Sequence, residues 1–510
     1  MKADLRDESA SRGASGRQDR RPSGSTLELD GAELRELVLA ALAPICAHID
    51  SLAEQPASNL AGGHKLARSL AEPLPAHGTP LAEILELLFA RAVPKSLNTA
   101  GPGYLAYIPG GGLLHAAVGD LIADAVNRYT GIFAPAPALS QLEANVVAWF
   151  AEIVGYPKEA RGTLTSGGSL ANLIALITAR RERLPEDFLA GTLYVSDQTH
   201  HSIAKAALLA GFPRRNVRPI ESDGRFRIRL DALEAQIARD RADGLTPFLV
   251  VGNAGSTNTG AVDPLPELAD LAARHGLWFH VDGAYGGFFA MTERGRRTLQ
   301  GIERADSVIL DPHKSLFLPY GTGALLVREG AALRRAHAET ADYLPALQDD
   351  PDLVDFSALS PELSRPFRGL RVWLPIKLTG IEAFRQALDE KLDLALWAAD
   401  ELRRIPGIEI LAEPELSLLA FHLAVPGADL ETANRKNRKL LERINARQRV
   451  FMTGTLLAGR FALRICILSF RTHRDRMEQA LEDIRAAVQE VQTAGREVDS
   501  LSNDDRGAHP

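Results

Sequence analysis

Ser307-Val308-Ile309-Leu310-Asp311-Pro312-His313-Lys314-Ser315 opens on four residues that read as a short buried strand and reaches a lysine just beyond it. Upstream, Leu277-Trp278-Phe279-His280-Val281-Asp282-Gly283-Ala284-Tyr285-Gly286-Gly287 has the same form, an apolar run with an acid at its end and small residues after it. Further β-rich runs lie at 192–196, 247–252 and 323–327, with helical patterns such as 169–183 and 264–275 between several of them. Strands alternating with helices predict an α/β fold with a mainly parallel sheet covered on both faces. In such sheets ligands bind in the crevice outside the carboxyl ends of the strands, which is where Asp282 and Lys314 fall.

Outward from this core the pattern changes. Residues 1–26 and 494–510 are polar and charged and cannot bury enough surface to offset their ordering entropy, so both read as disordered tails. Residues 27–100 hold helical patterns broken by prolines, and Pro44 is expected to end or kink the first of them. A helix is expected from Ser140, where Ser140 and Glu143 make a capping-box pattern ahead of Leu142, Val146, Trp149, Phe150 and Ile153. The large domain then spans 101–374. From 375 to 493 a long helix (376–404), strands at 418–425 and 461–468, and helices near 429–447 and from 475 predict a smaller α+β domain.

Composition narrows the function. The chain has 510 residues, 45% hydrophobic and 24% charged, with 58 Lys and Arg against 65 Asp and Glu. That balance leaves no electrostatic footprint for nucleic acid or an anionic membrane. The two cysteines, Cys46 and Cys466, support neither a disulfide framework nor a metal site. No apolar run approaches the ~20 residues of a membrane span, and the N-terminal stretch lacks the apolar segment of a signal peptide. A cytoplasmic enzyme is expected.

Four elements carry chemistry. Lys314, beyond a buried strand, can lose its proton by desolvation and attack a carbonyl as an amine. Asp282 can either cap the following helix or hold a heterocyclic nitrogen protonated, and the small Ala284 lets a flat ring approach the backbone. Gly162-Thr163-Leu164-Thr165-Ser166-Gly167-Gly168-Ser169 leads into a helix, and its backbone N–H groups, with Ser166 and Ser169, suit a phosphate. Val195-Ser196-Asp197-Gln198-Thr199-His200-His201 follows a strand and offers an imidazole that can stack on a planar ring. Together, in this order, they describe a pyridoxal 5′-phosphate site.

The chain resembles the group II pyridoxal-phosphate-dependent decarboxylases, the family of aromatic-L-amino-acid, histidine and glutamate decarboxylases. The likeness runs from about Gly101 to Arg476 and includes the Asp-Pro-His-Lys and His-Val-Asp-Gly-Ala-Tyr motifs. It implies fold type I of the pyridoxal-phosphate-dependent transferases, with a large seven-stranded domain and a small C-terminal one. It also implies a homodimer whose N-terminal segments wrap the partner. By resemblance Lys314 is the cofactor-bearing lysine with His313 beside it, His200 stacks on the ring, and Asp282 pairs with its nitrogen. Ala284 lies at the ring face and Thr257 beside it. Gly168 and Ser169 bind phosphate, with Asp311 where the aromatic enzymes have Asn, and Tyr107 and Pro109 line the substrate pocket.

The implied reaction is decarboxylation of an L-amino acid to its amine. Tyr104, Tyr107, Ile108, Phe133 and Phe356 favour an aromatic or large apolar substrate by making the pocket mouth apolar. Two positions depart from the family. Ser315 follows the lysine where Trp is frequent. Phe356 stands where aromatic-amino-acid decarboxylases carry, on a mobile loop, a Tyr that helps protonate the substrate carbon. His200, His201 or Tyr343 is then expected to donate that proton. Alternatively oxygen intercepts the carbanion and the product is an aldehyde, as in plant relatives with the same Tyr-to-Phe change.

Overall fold

The computed structural model describes residues 27–339, 350 and 352–504. These form two compact units, one made of residues 27–51 and 65–94, the other of 52–64 and the described residues from Lys95 onward. In the second unit seven strands build the larger sheet: β1 (Arg161–Thr165), β2 (Gly191–Ser196), β3 (Val217–Ile220), β4 (Thr246–Asn253), β5 (Trp278–Asp282), β6 (Ser307–Leu310) and β7 (Gly323–Val327). Their spatial order is β1-β7-β6-β5-β4-β2-β3. Pairing from β3 through β2, β4 and β5 to β6 is parallel, whereas β7 runs antiparallel to both β6 and β1. Two reversals restore direction, so β1 points the same way as the parallel five. Six carboxyl ends therefore open on one edge of the sheet.

The seven-stranded, mainly parallel sheet is the one the sequence predicts. β5 and β6 are buried along their whole length, and strands covered on both faces need continuous apolar runs. Leu164, Val250, Val281, Ile309 and Leu325 form the middle of one core with helix Gly168–Arg183. Strand β3 is at the sheet edge, where Pro219 is tolerated because no neighbour needs its missing N–H. A second, antiparallel sheet of β8 (Ile408–Ala412), β9 (Leu418–Leu423), β10 (Thr453–Leu457) and β11 (Arg460–Cys466) has the order β10-β11-β9-β8. Helices Ile381–Arg403, Leu430–Ala446 and Arg474–Asp504 pack with it around Leu419, Phe421, Leu463 and Ile465, the expected α+β lobe.

Four local expectations are corrected. Helix Gly31–Asp50 runs through Pro44, nucleated by a capping box in which Asp30 accepts from Ala32 and Glu33 N–H groups and Glu33 returns to Asp30. None of its residues is buried. The helix expected at Ser140 starts at Pro137, a residue pre-set for a first helical position. Ser140 and Glu143 are thus a turn inside and fully buried, and Glu143 meets Arg365 at 2.5 Å and accepts from Gly369 N–H at 3.0 Å. A buried carboxylate requires such an ionic partner. Gly380, at φ +74°, divides the single helix expected over 376–404 into Arg368–Thr379 and Ile381–Arg403. The last helix extends to Asp504, into the stretch read as a tail, while residues 1–26 and 505–510 lie outside the described residues.

Candidate active site

The common strand direction brings five loops to one cavity of about 320 Å³. Ser166, Gly168 and Ser169 come from the end of β1, His200 from β2, Thr257 from β4, Asp282 and Ala284 from β5, and Asp311, His313 and Lys314 from β6. Every expected cofactor residue lines this cavity. Of the expected substrate residues, Tyr107, Pro109 and Phe356 do not.

The first turn after β1 depends on Gly167, whose φ of +156° and ψ of 172° are open only to glycine. It starts helix Gly168–Arg183 with no side-chain cap, and Gly168 and Ser169 at that start line the cavity. Asp311 lies against this turn, where a Cβ on Gly168 would stand 3.0 Å from its Oδ2. It is 2% exposed, and its Oδ1 has no hydrogen-bond partner.

Lys314 Nζ is 2.9 Å from Asp311 Oδ2, and His313 Nε2 is 3.7 Å from the same oxygen. Burial acts to lower the Lys314 pKa, but the carboxylates of Asp311 and Asp282 outweigh it and the net shift is upward. The expectation that desolvation frees this amine is therefore corrected, because the two nearby carboxylates outweigh burial. Ser315 points into the core and donates to the Tyr285 carbonyl at 2.7 Å, tying the lysine turn to the loop after β5.

Asp282 ends β5 and accepts from Ala284 N–H at 3.1 Å and from Asn172 Nδ2 at 3.3 Å. The same amide donates to Ser202 Oγ at 2.9 Å, which lies 2.8 Å from His200 Nδ1. Burial pushes the His200 pKa down, with His201 and Lys314 acting in the same direction against Asp282 and Asp311. Asn172, Ser202 and His280, 3.0 Å from Asn172 Oδ1, were missed in the sequence. The signal for His280 was there, since residues two apart on a strand share a face and His280 precedes Asp282 by two.

Phe356 is the main displacement. It is fully buried in the core, with the Arg365 guanidinium 4.9 Å from its ring centre. Its neighbour Asp355 accepts from Phe133 N–H at 2.7 Å, which fixes the segment inward. Tyr104 and Ile108 are buried as well, Tyr104 stacked on Phe451, while Tyr107 is 57% exposed at a φ of +51°. The cavity wall is instead mixed, with Leu170, Ala284, Tyr285 and Ile309 among its polar groups. Tyr343 lies outside the described residues.

The 103–113 segment nevertheless braces the site. A Cβ on Gly110 would stand 2.2 Å from the His313 carbonyl, and Leu113 N–H donates to Phe317 O at 2.7 Å. At its other end Leu105 N–H donates to Phe451 O at 3.0 Å, and Cys466 N–H donates to Leu105 O at 3.0 Å.

The residues fit pyridoxal 5′-phosphate. An uncapped glycine turn receives phosphate, an acceptor-only carboxylate receives a ring N–H, and a lysine amine lies in the same cavity. Residues 64–424 match the pyridoxal-dependent decarboxylase conserved domain, and the chain belongs to that family of pyridoxal-phosphate-dependent carboxy-lyases. It is 35% identical to an aromatic-L-amino-acid decarboxylase of Bacillus atrophaeus over 91% of this chain and 97% of the other. Among solved structures it is similar to Catharanthus roseus tryptophan decarboxylase in complex with L-tryptophan, with a TM-score of 0.85, 27% identity, and 91% and 99% of the two chains covered. The 4-hydroxyphenylacetaldehyde synthase of Rhodiola rosea also matches, with a TM-score of 0.83, 25% identity, and 91% and 99% covered.

Proposed function

We propose that this chain decarboxylates an aromatic L-amino acid to its amine and carbon dioxide, with Lys314, Asp282, His200 and the Gly167–Ser169 turn holding the cofactor. The reading is carried by the meeting of these groups in one cavity. The aromatic preference is supported by the relatives' named substrates, not by the wall of the cavity. When bound, pyridoxal phosphate supplies an electron sink for the bond to the departing carboxylate.

The chain's own residues supply the rest. Lys314 Nζ is the tethering amine, and before it can react it must pass its proton on. Asp311 Oδ2, 2.9 Å away, favours the charged amine and so sets how readily that proton leaves. Asp282 holds the ring proton, and His200 and Ala284 give the ring its flat contacts. His313 stands beside the lysine and Thr257 at the cavity wall. Tyr107 and Pro109 act from the bracing segment.

Burial of Phe356 removes the observation that favoured aldehyde formation. Incubation of the cofactor-loaded enzyme with aromatic amino acids is expected to release carbon dioxide and amine in equal amounts. Aldehyde and peroxide in place of amine would refute it.

The enzyme acts as a homodimer in the cytoplasm. Dimerisation is supported by exposed Leu34, Leu37, Leu39, Leu42 and Ile45 on one helix and by Val118, Leu121, Ile122 and Val126 on another, patches of the kind a partner covers. Both cysteines are free, as a reducing compartment requires, and no helix among the described residues is long and apolar enough to cross a membrane. Sedimentation at micromolar concentration tests the dimer.

A further inference from the structure

A file of buried polar groups runs behind the cavity, and both of its ends have fixed polarity. At the far end Trp278 Nε1, which can only donate, reaches Ser307 Oγ at 2.8 Å. Ser307 Oγ is also 2.8 Å from His280 Nδ1, and His280 Nε2 is 3.0 Å from Asn172 Oδ1. At the near end Asn172 Nδ2 faces Asp282, a carboxylate that only accepts, at 3.3 Å. Trp278, Ser307 and His280 are buried behind the cavity, whereas Asn172 and Asp282 line it.

The directions follow from the ends. Trp278 N–H donates to Ser307 Oγ, whose own hydrogen is available to His280 Nδ1. Burial pushes the His280 pKa down to about 4 and keeps the ring neutral, so its one proton is on Nε2 and is donated to Asn172 Oδ1. From the other end, an amide nitrogen must face Asp282, which places Oδ1 toward His280 and gives the same answer. The second hydrogen of that amide goes to Ser202 Oγ at 2.9 Å, which leaves the serine's own hydrogen available to His200 Nδ1 at 2.8 Å. Ser202 N–H is aimed at the same nitrogen at 3.3 Å. Two donors converge on Nδ1 and leave no place for a proton there.

We infer that Asn172 is a positioning residue that sets the protonation of the site: it holds Asp282 as an acceptor and, through Ser202, holds His200 neutral with its hydrogen on Nε2. The charged and titratable groups that face His200 are Asp282 from β5, Asp311 and Lys314 from the loop after β6, and its neighbour His201. Asp282 and Asp311 favour the charged ring, and His201 and Lys314 favour the neutral one. A neutral Nε2–H imidazole gives a hydrogen bond but is a poor acid, so His200 orients and does not supply the proton that ends the reaction. The inference rests on the reading that His200 and Asp282 flank the cofactor.

The test is the imidazole nitrogen-15 spectrum of the full-length chain, labelled at histidine and recorded with and without pyridoxal phosphate. His200→Asn and His280→Asn supply the assignments. Around pH 7 both rings are expected to carry hydrogen on Nε2 and none on Nδ1. A proton on Nδ1 of either ring overturns the inference. Asn172→Leu is then expected to raise the His200 midpoint and to introduce an ionisation into the kcat profile within roughly pH 5–8 that the parent lacks. A superimposable profile overturns the positioning role. If that variant does not fold, Ser202→Ala is the second arm, expected to remove the hydroxyl beside Nδ1 and raise the His200 midpoint, and an unchanged His200 midpoint counts against the inference. Failure of the site reading has a different signature, a His200 signal that cofactor binding does not move.

Discussion

Asp311→Asn tests whether the carboxylate beside Lys314 restrains the amine. At 2.9 Å the pair interacts by about 6 kcal/mol with an effective dielectric constant of about 20. The Lys314 side chain is 23% exposed, so solvent screens part of this. Retaining about a third leaves ~2 kcal/mol, a roughly 30-fold rise in free amine near neutral pH, because the charged form is what Asp311 favours. Stopped-flow absorbance of cofactor-stripped enzyme mixed with pyridoxal reads that rise directly, since pyridoxal carries no phosphate. With pyridoxal phosphate the gain should be larger, because the variant also removes a negative charge from the phosphate cup. An unchanged or slower pyridoxal rate would refute the assignment of Asp311 as the brake on Lys314. Equal gains with both compounds would refute its place beside the phosphate.

Three further outcomes follow from the same geometry. Phe356→Tyr puts a hydroxyl into the core, so it should lower stability by about 1–3 kcal/mol in urea titration and leave the amine-to-aldehyde ratio unchanged; a changed ratio would return Phe356 to the substrate. Glu143→Gln strips Arg365 of its buried counter-charge and should lower stability by about 3–5 kcal/mol, read as a reduced denaturant midpoint. His280 is neutral in the fold with its pKa pushed down to about 4, so as acid is added the unfolded chain binds its proton first. Its contribution is whole above roughly pH 6.5 and fades towards pH 4 by about 3 kcal/mol. Stability of His280→Gln should fall less steeply over that interval, and parallel curves would count against the buried neutral ring.

The sheet was readable because its central strands are buried on both faces and leave unbroken apolar runs, as in Phe248–Val251 or Val308–Leu310. The cofactor residues were readable for a related reason, each following such a run. What escaped was set by tertiary partners. Glu143 looks like a cap until Arg365, far along the chain, claims it. Phe356 looks like a pocket residue until Asp355 and Arg365 turn it inward. Lys314 looks free to deprotonate until Asp311 is found within 3 Å. Asn172, inside a helix read as packing, shows its role only through two groups on β5 and one at the start of helix Ser202–Leu209.

The 103–113 segment is pinned to β11 and Phe451 at one end and pressed by Gly110 and Leu113 onto the turn bearing Lys314 at the other. It is a strut with no slack, since the contact at Gly110 leaves no room for even a methyl group. A rigid-body displacement of the antiparallel lobe is therefore felt at the lysine turn, and ligand engaged at that turn pulls on the lobe in return. The two sheets share a mechanical linkage through this segment, and substitutions remote from the cavity but along this strut should be heard in the cofactor's spectrum.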